Sequence, residues 1–160
     1  MFVLRLVAML GTSGDVKELE GDLGNSGTSS RIQAVCDWFG PTDLLDLNAP
    51  NPVKGLLGGP ASANVGKARQ ANPITWASKD DPPFLIMHGD QDKAVSIQQS
   101  ELLYEALKKA GVPVKFVPIP GAGHDFRGLA RTKAVPWAIL KPEYLKTVNE
   151  FFDEKLKGKK

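Results

Sequence analysis

The sequence predicts an α/β fold with about three parallel strands flanked by helices, and three observations carry that expectation. Short apolar runs at Ile32–Phe39, Phe84–His88 and Val114–Ile119 have strand length without polar alternation, as strands buried on both faces do. The stretch Ser96–Ala110 between the last two runs is an amphipathic helix, and parallel neighbours need such a crossover. Both of those runs end in glycine-bearing loops, Gly89-Asp90-Gln91-Asp92 and Gly121-Ala122-Gly123-His124.

Each element has its own local signal. Residues 2–10 read as a helix ending at Gly11, followed by a polar loop through Ser30. Ile32–Phe39 is a buried strand closed by Gly40-Pro41. From Leu44 to Asp81 the chain breaks into proline- and glycine-rich pieces with a polar helix near Asn64–Gln70. Residues 44–81 are therefore expected to form a lid-like insertion between strands. In Ser96–Ala110, Ser96 and Gln99 form a capping box, Leu103, Ala106, Leu107 and Ala110 the buried stripe, and Gly111 the stop. Pro142 opens a last amphipathic helix with Leu145, Val148 and Phe152 on its buried face.

Composition narrows the function classes. The 160 residues fit a single domain, 1–160, and 42% apolar with 24% charged residues is globular composition. A net charge of +2 argues against a polyanion surface, so no nucleic-acid partner is expected. Lys155, Lys157, Lys159 and Lys160 read as a solvated tail, and Trp38, Trp76 and Trp137 as core or lid aromatics. Cys36 is the one cysteine, expected to be buried in a reducing compartment. Met1–Leu10 is too short to span a bilayer and lacks a signal-peptide cleavage site, so a cytoplasmic protein with no membrane partner is expected. Two histidines and one cysteine are too few for a metal centre, and Gly55-Leu56-Leu57-Gly58-Gly59 lacks the ending of a phosphate loop, so no metal or cofactor is expected.

Parallel sheets place their sites at the carboxyl ends of the strands, which puts Asp92 and His124 on one edge. A histidine acting as general base needs its ring oriented and its charged form stabilised, and a carboxylate does both. Asp92 can fill that part. Asp90 can instead cap a turn, and Ser96 is a helix cap rather than a nucleophile.

Five segments together point to a family: Leu10-Gly11-Thr12-Ser13-Gly14, Trp38-Phe39-Gly40-Pro41-Thr42-Asp43, Ala71-Asn72-Pro73-Ile74, Pro83 through Asp92, and Gly121-Ala122-Gly123-His124. They resemble the C-terminal half of α/β-hydrolase esterases, nearest to bacterial acetyl-esterase/lipase-like enzymes of the feruloyl and acetyl-xylan esterase kind. The resemblance implies a partial α/β-hydrolase fold, with Asp92 as triad acid and His124 as triad base, in the chain order these enzymes use. It also implies a departure. The G-x-S-x-G serine would fall on Met1 and the histidine that follows it on Arg5, so the chain is expected to be a hydrolase cut at its nucleophile. Ser13 cannot substitute, since twelve helical residues place it on the order of 18 Å from the lost serine.

Two expectations follow. One is a carboxylic-ester hydrolase acting on small acyl esters, weakly or not at all. The other is a non-catalytic remnant that self-associates, a homo-oligomer paired through the sheet edge near Ile32–Phe39.

Overall fold

The computed structural model describes residues 2–14, 16–21, 24, 27–45, 51–124 and 142–157. Met1, residues 46–50, residues 125–141 with Trp137, and Lys159 and Lys160 lie outside the described residues.

Three parallel strands, β1 (Val35–Trp38), β2 (Phe84–Gly89) and β3 (Val114–Ile119), form one sheet in that order. Val35 pairs with Phe84, and Phe84 with Val114. All six residues of β2 are buried, which is why the central strand reads as an unbroken apolar run.

Side-chain alternation sends each strand's residues to two cores. On one face Val35, Phe84 and Ile86 pack with Ala8 of α1 (Phe2–Thr12) and with Leu103 and Leu107. On the other, Leu85, Met87 and Ile119 pack with Phe39 and Phe151. The remaining helices are α2 (Lys17–Glu20), α3 (Asn51–Leu57), α4 (Val65–Gln70), α5 (Pro73–Trp76), α6 (Gln98–Ala110) and α7 (Pro142–Leu156). Within the 44–81 excursion Leu44, Val53, Leu57, Ala61 and Ala68 make a small core of their own. Among the described residues no helix is long and apolar enough to cross a membrane.

Three local expectations are corrected. The first helix runs through Gly11 to Thr12 rather than stopping at the glycine. Gly11 serves close packing instead: a Cβ there would lie 2.7 Å from Val35 Cγ2 and clash with the Phe84 ring. Ser96 and Gln99 do not form a capping box. The Gln99 amide oxygen instead accepts from the Thr42 and Asp43 backbone N–H groups, at 2.8 and 2.7 Å. Two converging buried donors outweigh a cap that water could replace. Ser96 Oγ still accepts from Gln98 N–H at 3.3 Å. On α7 the buried stripe is Tyr144, Val148, Phe151 and Phe152, while Leu145 is 42% exposed. The stripe follows i, i+4, i+7 and i+8, which excludes position 145.

Candidate active site

The site forms where the loops after β2 and β3 meet. Gly89 makes the meeting possible, because a Cβ on it would overlap the Ala122 carbonyl. With that space open, Gln91 N–H donates to Ala122 O at 2.9 Å, and Asp90 N–H to Ile119 O at 3.2 Å. Asp90 Oδ1 accepts from Gly121 N–H at 2.8 Å. Asp90 thus staples the two loops together.

Asp92 and His124 are brought together: His124 Nδ1 lies 2.7 Å from Asp92 Oδ2, a hydrogen-bonding separation. The other carboxylate oxygen, Oδ1, accepts from Ala94 and Val95 N–H at 2.8 and 2.9 Å. The Asp92 side chain is fully buried and that of His124 is 22% exposed. Burial alone would raise the Asp92 pKa. Hydrogen bonds from His88, Val95 N–H, His124 and Ala94 N–H outweigh it, bringing it from 3.8 down to about 2. The carboxylate is therefore ionised at every pH at which the histidine could act as a base.

Two residues that sequence reasoning left without a role stand around this pair. His88 is fully buried, with Nε2 3.3 Å from Asp92 Oδ2 and 3.0 Å from Val95 O, and Nδ1 2.7 Å from Ser100 Oγ. Its signal was a histidine closing an otherwise apolar strand, four residues before the acid. Phe39 sits at φ 44°, a left-handed backbone that bulky residues rarely adopt. Its ring packs on His124 with centroids 4.7 Å apart, and edge-on to His88 at 6.4 Å. Nothing in a sequence announces a positive φ at phenylalanine.

Asp37, on β1, is a second buried carboxylate at this end of the sheet. Among the described residues neither of its oxygens has a hydrogen-bond partner. Burial pushes its pKa up from 3.8 to about 7, while the nearby Gly40 amide and His88 ring pull it back. Cys36 makes a poor nucleophile. Burial pushes its thiol up to about 12, against the pull of the Trp38 indole N–H, which donates to Sγ at 3.0 Å.

A parallel sheet with an acid and a histidine on consecutive loops at its carboxyl edge belongs to the α/β-hydrolase class, with three strands of that fold present. The chain belongs to the BD-FAE family, whose pattern matches residues 5–107. It is 29% identical over 127 residues to a Mycobacterium tuberculosis protein named "Probable carboxylic ester hydrolase LipM", covering 74% of this chain and 30% of that one. Among solved structures, a truncated form of a carbohydrate esterase from gut microbiota superposes with a TM-score of 0.71 at 33% identity, over 95% of this chain and 56% of that one. A bifunctional GH43-CE protein of Bacteroides eggerthii gives a TM-score of 0.80 at 30% identity, over 95% of this chain and 20% of that one. The chain thus spans roughly a third of LipM and just over half of the truncated esterase. These relatives bear the names of ester hydrolases and carbohydrate esterases.

Proposed function

We propose that this chain carries the acid–base half of a carboxylic-ester hydrolase for small acyl esters, with Asp92 as the acid and His124 as the base. The observation that carries the reading is the 2.7 Å contact of His124 Nδ1 with a carboxylate already anchored by two backbone N–H groups. That contact keeps a hydrogen on Nδ1 and leaves Nε2 as the basic nitrogen. When Nε2 takes a proton from an attacking hydroxyl or water, Asp92 stabilises the imidazolium that results.

No G-x-S-x-G stands ahead of Asp92 in this sequence, so the reading for these residues alone is activation of water by His124. Turnover is then weak or absent, since the loss of even one oxyanion donor costs about 10²–10³ in rate. Residues 44–81 act in this reading as a lid-like cover over the acyl or alcohol pocket. The test is p-nitrophenyl acetate hydrolysis by purified wild-type protein and by His124→Ala. The reading expects slow hydrolysis above buffer, reduced at least tenfold in the variant. Equal rates would remove His124 from the chemistry.

A second reading, a self-associating protein, is favoured by the position of β1 at the edge of the sheet beside an α1 whose Leu6 and Leu10 are 56% and 44% exposed. Edge strands pair with further strands, and a two-fold pair is the commonest closed form. Sedimentation of a clean 17.3 kDa monomer at high concentration would end it.

A further inference from the structure

Asp92 is met by two histidines, and only one of them can face a substrate. His88 is fully buried behind the carboxylate, one residue before the end of β2, and three acceptor or donor groups surround its ring. Their chemistry fixes its hydrogens. The Val95 carbonyl, 3.0 Å from Nε2, can only accept, and so can the ionised Asp92 Oδ2 at 3.3 Å. Nε2 must therefore carry a hydrogen. Ser100 is fully buried in the first turn of α6, with its Oγ 2.7 Å from Nδ1, where the hydroxyl can donate to a bare ring nitrogen.

We propose that His88 is a positioning residue for the acid–histidine pair: a neutral Nε2–H imidazole, its tautomer set by Ser100, that clamps Asp92 so that the carboxylate is aimed at His124. One N–H is shared between the Asp92 carboxylate and the Val95 carbonyl. The Ala94 and Val95 N–H groups hold the opposite oxygen. With both oxygens tied to the 92–95 turn, the carboxylate plane is fixed and one lone pair on Oδ2 remains for His124 Nδ1. The clamp is rooted in the core twice, through β2, which carries His88, and through α6, which carries Ser100. A free Asp92 side chain could rotate about χ1 and χ2 and lose His124 at no backbone cost, and the fourth donor prevents that. Asp37 is the other acid near this ring, and burial raises its pKa.

This inference rests on Asp92 and His124 acting as a pair, and its readouts do not involve ester turnover. Long-range ¹H–¹⁵N correlation on uniformly labelled wild-type protein at pH 7.5 reports which nitrogen of each imidazole is protonated. The expected pattern for His88 is a protonated Nε2 and a bare Nδ1; a bare Nε2, or both nitrogens protonated, overturns the proposal. Ser100→Ala removes the hydroxyl and should populate the second tautomer at His88. In His88→Leu the Asp92 carboxyl titration should rise by about one pH unit and the His124 resonances should broaden or shift. His88→Gln, whose side-chain amide N–H reaches the same place, should restore both. Unchanged Asp92 and His124 signals in a folded His88→Leu protein would also overturn it. The wild-type tautomer needs no variant, so it decides the matter even if His88→Leu does not fold. Failure of the esterase reading would appear separately, as equal hydrolysis by wild type and His124→Ala with the His88 tautomer as stated.

Discussion

Asp37 and Asp92 belong to neighbouring strand ends, and both carboxyl groups are withdrawn from water, yet their surroundings push them in opposite directions. Around Asp92 four N–H groups converge and its pKa falls to about 2. Around Asp37 the Gly40 amide is near but neither oxygen has a well-formed hydrogen bond among the described residues, and burial raises its pKa to about 7. Burial pushes both upward, and at Asp92 the converging donors reverse the sign. The difference separates a carboxylate built to stay charged beside a histidine from one that the fold tolerates in its protonated form.

The largest expected effect comes from removing the ill-placed charge. For Asp37 the folded-state pKa lies above the unfolded one, so the folded protein binds more protons between about pH 4 and pH 7. Stability therefore falls as pH rises through that window. A rise from 3.8 to about 7 corresponds to roughly 4 kcal/mol. Asp37→Asn should match wild type near pH 4 and exceed it at pH 8 by a large part of that figure, as measured by urea unfolding at each pH. A variant less stable than wild type at pH 8 would mean that Asp37 has a partner after all. Asp92 works in a different window and with the opposite sign: its contribution is present above pH 4 and is lost as pH falls toward 2.

Removing the well-placed charge should cost less but reach further. Asp92→Asn gives up charge-assisted hydrogen bonds and should destabilise the protein by about 1–3 kcal/mol at pH 7. It should also broaden the His124 ring resonances, which Asp37→Asn should leave sharp. If Asp92→Asn leaves His124 untouched, the two carboxylates do not differ in role.

How far this contrast could be read beforehand depends on the range of the interactions. The strands were legible because burial on both faces removes polar residues from the run. Asp92 and His124 were legible because sheet topology puts successive loops on one edge. Asp37 lies inside a strand-like run, where one carboxylate among apolar neighbours gives no indication of its partners. The Gln99 contact to Thr42 and Asp43 spans more than fifty residues, and a local capping pattern could not anticipate it. Gly11 was misread because a glycine that ends a helix and one that admits a neighbouring ring look alike in a sequence.

The smallest effect sharpens the surroundings of the pair. Phe39→Leu removes the ring lying on His124 and should cost about 1 kcal/mol. The His124 ring protons should lose an upfield ring-current shift while the Asp92 contact persists. An unaltered His124 spectrum would show that the two rings do not touch in solution.

The central claim is that Asp92 is held ionised in part by His124, and a carboxyl ¹³C titration of Asp92 in wild type and in His124→Ala tests it most directly. The account predicts a midpoint near 2 in the wild type and a clear rise in the variant, with Asp37 titrating near neutrality in both. A wild-type Asp92 midpoint at the ordinary value of 3.8, unmoved by His124→Ala, would contradict it.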